Sequence, residues 1–168
     1  NLLTAGNLAC GFFSLTWIFK YDPLVTGFEP IQVAIRLILA AFACDFFDGR
    51  VARIARRESQ FGREFDSLAD IVSFGVAPAF LVYRIVLHQF ERTGWLVAAV
   101  YLVCGGIRLA RFNVLTHVGA GKGKEEFIGF PIPLAAALVV SVTTFMIALA
   151  EHDWQLGRDV AIAISTDG

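Results

Sequence analysis

The sequence predicts an all-α protein, a polytopic bundle of transmembrane helices with five helices visible and the start of a sixth. Three observations carry that prediction. Of the 168 residues, 57% are apolar and only 17% charged, against about 45–50% and about 25% in an ordinary soluble domain. The apolar residues fall in uninterrupted runs close to the roughly 20 residues a helix needs to cross a bilayer. The two-residue alternation that a membrane β-barrel requires is absent.

The elements follow in chain order. Asn1 to Phe19 carries no charge and forms the first predicted span. Ile31 to about Phe47 is the second, interrupted by Arg36 and ending in acids. Ser67 to Tyr83 is the third, with Asp70 near its start and Gly75 and Pro78 marking an expected kink, where freed carbonyls can shape a cavity. Thr93 to Ile107 is the fourth and continues toward Phe112. Phe127 to Ala150 is the fifth, opened by Pro131 and Pro133, residues suited to a helix start. Val160 to Ser165 is expected to begin a sixth. The connections are short and nothing repeats, so residues 1–168 read as a single membrane domain. Its opening at Asn1, without Met or a basic leader, and its stop at Gly168 lead us to expect a fragment trimmed at one or both ends.

Charge excludes some functions and orients the chain. A net charge of -1 leaves no basic field for nucleic acid. Cys10, Cys44 and Cys104 are odd in number and lie in apolar runs, which reads as reduced thiols rather than a disulfide frame. Most of the 14 basic residues lie between the second and third spans and between the fourth and fifth. The positive-inside rule places those connections, and the N-terminus, in the cytoplasm.

The densest polar stretch lies between the second and third spans. Asp45 and Asp48 are three residues apart, and Asp66 and Asp70 four apart, so on helices each pair shares a face. Consecutive helices joined by a short connection bring all four carboxylates to one membrane-embedded spot. One Asp at a helix end is an ordinary interfacial cap; four together at bilayer depth are not. Their repulsion is resolved by hard divalent cations, Mg²⁺ or Mn²⁺, and two metals about 4 Å apart are a familiar clamp for phosphoryl chemistry. Gly49 removes a side chain beside Asp48, Ala52 lies on a neighbouring face, and Gly62 opens the returning segment; small residues there suit either an approaching ligand or close helix packing. Arg53, four residues after Gly49, points the same way and is a natural phosphate fork.

The full spacing, D-x2-D-G-x2-A-R-x8-G-x3-D-x3-D from Asp45 to Asp70, resembles the signature of the CDP-alcohol phosphatidyltransferases. That resemblance implies an integral membrane enzyme that displaces CMP from a CDP-linked lipid with an alcohol. It implies that Asp45, Asp48, Asp66 and Asp70 hold two divalent cations, with Asp70 doubling as the general base. It also implies that Gly49, Ala52, Arg53, Gly62 and the loop residue Ser59 surround the CDP-lipid. Thr4 and Asn7 match the family's T-x-x-N stretch; lining the nucleotide pocket and hydrogen bonding between helices both fit them.

Beyond the signature, Phe65 to Pro78, Arg108-Leu-Ala-Arg-Phe-Asn113 and Phe127 to Pro133 resemble the serine-accepting branch of the family, with Phe130 where Leu is usual. The implied reaction transfers the phosphatidyl group of CDP-diacylglycerol to the hydroxyl of L-serine at the cytoplasmic face. Arg108, Arg111 and Asn113 are then expected to bind the acceptor or a phosphate, although the two arginines also suit the C-terminal end of a helix. Another acceptor, such as glycerol 3-phosphate or an inositol phosphate, is the nearest alternative. A divalent-metal transporter is the alternative of another class, and acids gathered between two helices argue against a path through the membrane. A homodimer is compatible with the Phe-rich, lipid-facing surface. His88, His117 and His152 stand alone and receive no role; Lys122 and Lys124 suit anionic lipid headgroups.

Overall fold

The structure, a computed structural model, describes residues 2–22, 24–55, 60–118 and 131–166, with side chains described except at 51–55, 91, 116–118 and 153–166. The described residues form α1 (Leu2–Lys20), α2 (Glu29–Ala55), α3 (Gln60–Asp70), a π-helical turn (Ile71–Val76), α4 (Ala77–Ile85), a short 3₁₀ turn (Leu87–Phe90), α5 (Glu91–Val118) and α6 (Ile132–Thr166), with no strand among them. Helix α3, the π turn and α4 run on as one composite rod. Among the described residues five stretches are long and apolar enough to cross a membrane: Leu2–Lys20, Glu29–Arg50, Gln60–Ile85, Arg92–Leu115 and Ile132–His152.

Each boundary has a local cause. Asp22 accepts from the Leu24 N–H at 2.9 Å just beyond α1, and Gly27 takes the left-handed conformation (φ 58°) that turns the chain into α2. Pro30 sits at the start of α2, where its missing N–H costs nothing. Pro131 precedes α6 and its carbonyl accepts from Ala135 at 3.0 Å. The further helix expected at Val160–Ser165 is not set off by any break: those residues lie on the same continuous α6. The polar stretch from Glu151 to Arg158 contains no Pro, and charged residues such as Glu and Arg are themselves good helix formers.

Helix α1 occupies the middle of the bundle, packed along α2 and touching α3, the π turn and α4, while α6 closes against α4, the π turn and α2. Toward one end, Ile18, Ile31, Ile35, Ile38, Leu81, Val140 and Ile147 form a buried core. Toward the other, Ala41, Phe74, Ile132 and Ala136 form a smaller one. The outer faces expose Phe12, Phe13, Leu39, Phe46, Val100, Val103 and Phe145, as suits contact with lipid tails. Because lipid is as apolar as these side chains, helices in a bilayer are held by close backbone approach and polar contacts. Gly11 shows the first of these: a β-carbon there would stand 2.9 Å from the Ser73 Cα.

Gly11→Ala is therefore expected to push α1 away from the π turn and to destabilise the bundle by about 1–3 kcal/mol, the usual cost of overpacking. Thermal unfolding in detergent checks this; an unchanged midpoint would contradict the packing.

Candidate active site

The site lies at the end of the bundle where α1 begins, α2 ends and α3 begins. Asp45 sits on the last turns of α2, and Asp66 and Asp70 sit one turn apart on α3. Each offers a carboxylate oxygen, and the three oxygens lie within 4.8 Å of one another. Asp70 is 8% exposed, and Asp45 and Asp66 are half-buried.

Helix α1 supplies the neutral donors. The Asn7 Nδ2 donates to Asp70 Oδ1 at 3.1 Å, and the Thr4 hydroxyl donates to Asp48 Oδ2. Both α1 residues are buried. The structure thus brings Asp45, Asp66 and Asp70 together, while Asp48 is engaged by Thr4 beside them. Asn7 is held from behind as well, its backbone carbonyl accepting from the Ser73 hydroxyl at 2.9 Å. The Asn7 side-chain oxygen is buried with no hydrogen-bond partner among the described residues, an arrangement that suits a cation or a donor entering beside it.

The donor set fits a divalent metal. Three carboxylates this close repel one another, every available ligand is a hard oxygen, and a cation between them removes the repulsion. The cluster is able to hold such an ion.

Gly49 separates its two expected readings. It is exposed, and a β-carbon there would meet nothing within 4 Å among the described residues, so packing against them does not require glycine. Gly62 is half-buried near the start of α3. The side chains of Ala52 and Arg53 are outside the described set, and Ser59, Lys122 and Lys124 lie outside the described residues.

On α5, Arg108 is half-buried and Arg111 exposed. The Asn113 Nδ2 donates to Ser67 Oγ at 2.8 Å, and Ser67 in turn donates to the Arg63 carbonyl at 3.0 Å. The end of α5 is thereby fastened to α3 one residue from Asp66. Sequence reasoning did not single out Ser67 or Ser73. The available signal was a hydroxyl in an otherwise apolar helix, which in a bilayer generally has a partner on a neighbouring helix.

A family model described as CDP-alcohol phosphatidyltransferase matches residues 1–165, and the chain belongs to that family. With its five spans it is a multi-pass membrane protein. Within the family, similar relatives bear the name CDP-diacylglycerol–serine O-phosphatidyltransferase. One from Helicobacter pylori (strain J99) is 43% identical over 83% of this chain and 54% of its own length. One from Bacillus subtilis is 36% identical over 83% of this chain and 71% of its own. One from Saccharomyces cerevisiae is 40% identical over 84% of this chain and 52% of its own. The chain spans about half the length of the Helicobacter and Saccharomyces relatives. No solved structure matches it.

Mn²⁺ is expected to bind the detergent-solubilised protein. Asn7→Ala, which removes the amide that orients Asp70, should weaken that binding about 10–100-fold, as loss of a supporting hydrogen bond to a metal ligand commonly does. Paramagnetic resonance of free Mn²⁺ reads the affinity directly; equal affinity in the variant would deny Asn7 this role.

Proposed function

We propose that this chain transfers the phosphatidyl group of CDP-diacylglycerol to the hydroxyl of L-serine, making phosphatidylserine and releasing CMP at the cytoplasmic face. The observation that carries the reading is the convergence of Asp45, Asp66 and Asp70 at one end of a membrane bundle, in a chain of this family. The acceptor rests on the serine transferases to which the chain is similar.

In this reading the lipid's acyl chains lie against the apolar exterior and its diphosphate reaches the acidic cluster. Asp45, Asp48, Asp66 and Asp70 hold two divalent cations, Mg²⁺ or Mn²⁺, which when bound supply the positive charge that lets anionic phosphates approach carboxylates. Thr4 holds Asp48 in place, and Asn7 holds Asp70. Open space at Gly49 lets the nucleotide lie close to α2, and Arg53, Ala52, Ser59 and Gly62 surround it. Asp70 takes the proton from the serine hydroxyl, whose oxygen attacks the diacylglycerol-side phosphorus. The bond from that phosphorus to the bridging oxygen breaks, and CMP departs with the electron pair. Positioning and electrostatics account for the catalysis, as phosphoryl transfer generally requires. Arg108 and Arg111 offer charge for the serine carboxylate or a phosphate, with Asn113 beside them. The clustering of the acids between α2 and α3, rather than along several helices, favours a reaction site over a transport path.

CMP release from CDP-diacylglycerol is expected with serine and not with glycerol 3-phosphate. Release with glycerol 3-phosphate alone would reassign the acceptor, and failure of every acceptor alcohol to release CMP would sink the enzyme reading. Asp70→Asn should lower turnover about 10²–10⁴-fold, the range for a lost general base, with CDP-diacylglycerol binding largely retained. Undiminished turnover would remove Asp70 as the base.

A further inference from the structure

The direction in which Asp66 and Asp70 point depends on a break in their own rod. Pro78 has no N–H, and its ring crowds the carbonyl four residues earlier, that of Phe74. The chain before it widens accordingly: Ile71–Val76 is π-helical, and the Ala77 N–H donates to Val72, five residues back. A π turn inserts one residue relative to an α-helix. The segment before it is therefore rotated by about 100° from where an unbroken α-helix would place it relative to the segment after. Asp66 and Asp70 lie before the turn; Ala77 and Leu81, anchored in the core, lie after it. If the turn relaxed to regular α-helix, the carboxylates would swing away from Asp45.

Two helices grip this turn. From α1, Asn7 accepts from Ser73 and donates to Asp70. From α5, the Tyr101 hydroxyl donates to the Phe74 carbonyl at 2.9 Å. That carbonyl is the one Pro78 leaves without its α-helical donor, and Phe74 is fully buried. An unpaired carbonyl at this depth is costly. Gly106 lets α5 come close, since a β-carbon there would stand 3.3 Å from the Ile71 Cδ1.

We propose that Tyr101 is a positioning residue for the acidic cluster: by donating to the Phe74 carbonyl orphaned by Pro78, it holds the π turn that aims Asp66 and Asp70 at Asp45. This deepens the proposed function and rests on it for its kinetic readout, but not for its binding readout. The test uses the full chain in detergent, with Mn²⁺ affinity from the resonance of free Mn²⁺, thermal unfolding, and kcat and KM for CMP release. Tyr101→Phe should stay folded, bind Mn²⁺ about tenfold more weakly, and lose kcat while KM for serine moves by less than about twofold, since orientation rather than ground-state binding is lost. Unchanged Mn²⁺ affinity and kcat in a folded variant overturn the proposal, whatever happens to the melting point. Pro78→Ala restores the missing N–H, so Tyr101→Phe should add no further loss of Mn²⁺ affinity in that background. An additive loss there overturns the proposal, and this pair of variants decides the matter should Tyr101→Phe alone not fold. Wild-type protein that binds Mn²⁺ but releases no CMP would sink the functional reading and leave the Tyr101 inference to stand or fall on affinity. Wild-type protein that binds no Mn²⁺ overturns the inference.

Discussion

Carboxylates packed side by side at bilayer depth must be compensated where they stand, and the architecture at this end of the bundle answers to that demand. Burial strips Asp70 of most of its water and Asp45 and Asp66 of part of theirs. Two consecutive helices deliver the charges, Asp45 from α2 and Asp66 and Asp70 from α3. A third helix, α1, delivers the neutral donors, Thr4 to Asp48 and Asn7 to Asp70. Donors alone leave the charges unneutralised, and a divalent cation held by Asp45, Asp66 and Asp70 would offset them. The central place of α1 follows: it must reach α2 and α3 together, and Gly11 lets its backbone lie against Ser73 to do so.

Much of this was legible in the sequence because helical spacing maps directly onto faces. Run length located the five spans, and the Asp66–Asp70 spacing put both carboxylates on one face. Asp45 and Asp48 were less simply read. Three residues turn a helix about 300°, which leaves their directions some 60° apart, and Thr4 engages the second while the first joins the α3 pair. Thr4 and Asn7 had been open to two readings, and in the structure both make helix-to-helix hydrogen bonds, which leaves their contact with a nucleotide as a proposal. The sequence leaves Gly49 open between packing and ligand room; no described residue packs against it, and its contact with a ligand stays a proposal.

The rest was illegible for physical reasons. Gly75 and Pro78 signalled a kink, but whether the backbone answers a proline by bending or by widening into a π turn depends on what can satisfy the freed carbonyl. That donor, Tyr101, is distant in sequence and lies in an apolar run, where an aromatic ring looks like another lipid-facing side chain. The continuous course of α6 through Glu151–Arg158 is not visible in run length, because polar residues interrupt an apolar run without ending a helix.

Helix α5 shows how such a bundle is fastened. It is the least buried of the five spans, with Trp95, Leu96, Val100, Val103 and Ile107 all exposed. In water, burial would fix its position; among lipid tails, burial exerts little pull. Two side-chain hydrogen bonds to the neighbouring rod are specific instead. Asn113 reaches Ser67, just after Asp66, and Tyr101 reaches Phe74, just beyond Asp70. The two attachments flank Asp70 along the rod, with Asp66 one residue outside the first. Gly105 and Gly106 bring the backbone in between them, where β-carbons would crowd Ile132 and Ile71 at 2.9 and 3.3 Å. A helix so exposed contributes little to the core, but attached at these points it acts as a splint along the segment whose geometry brings the three carboxylates together.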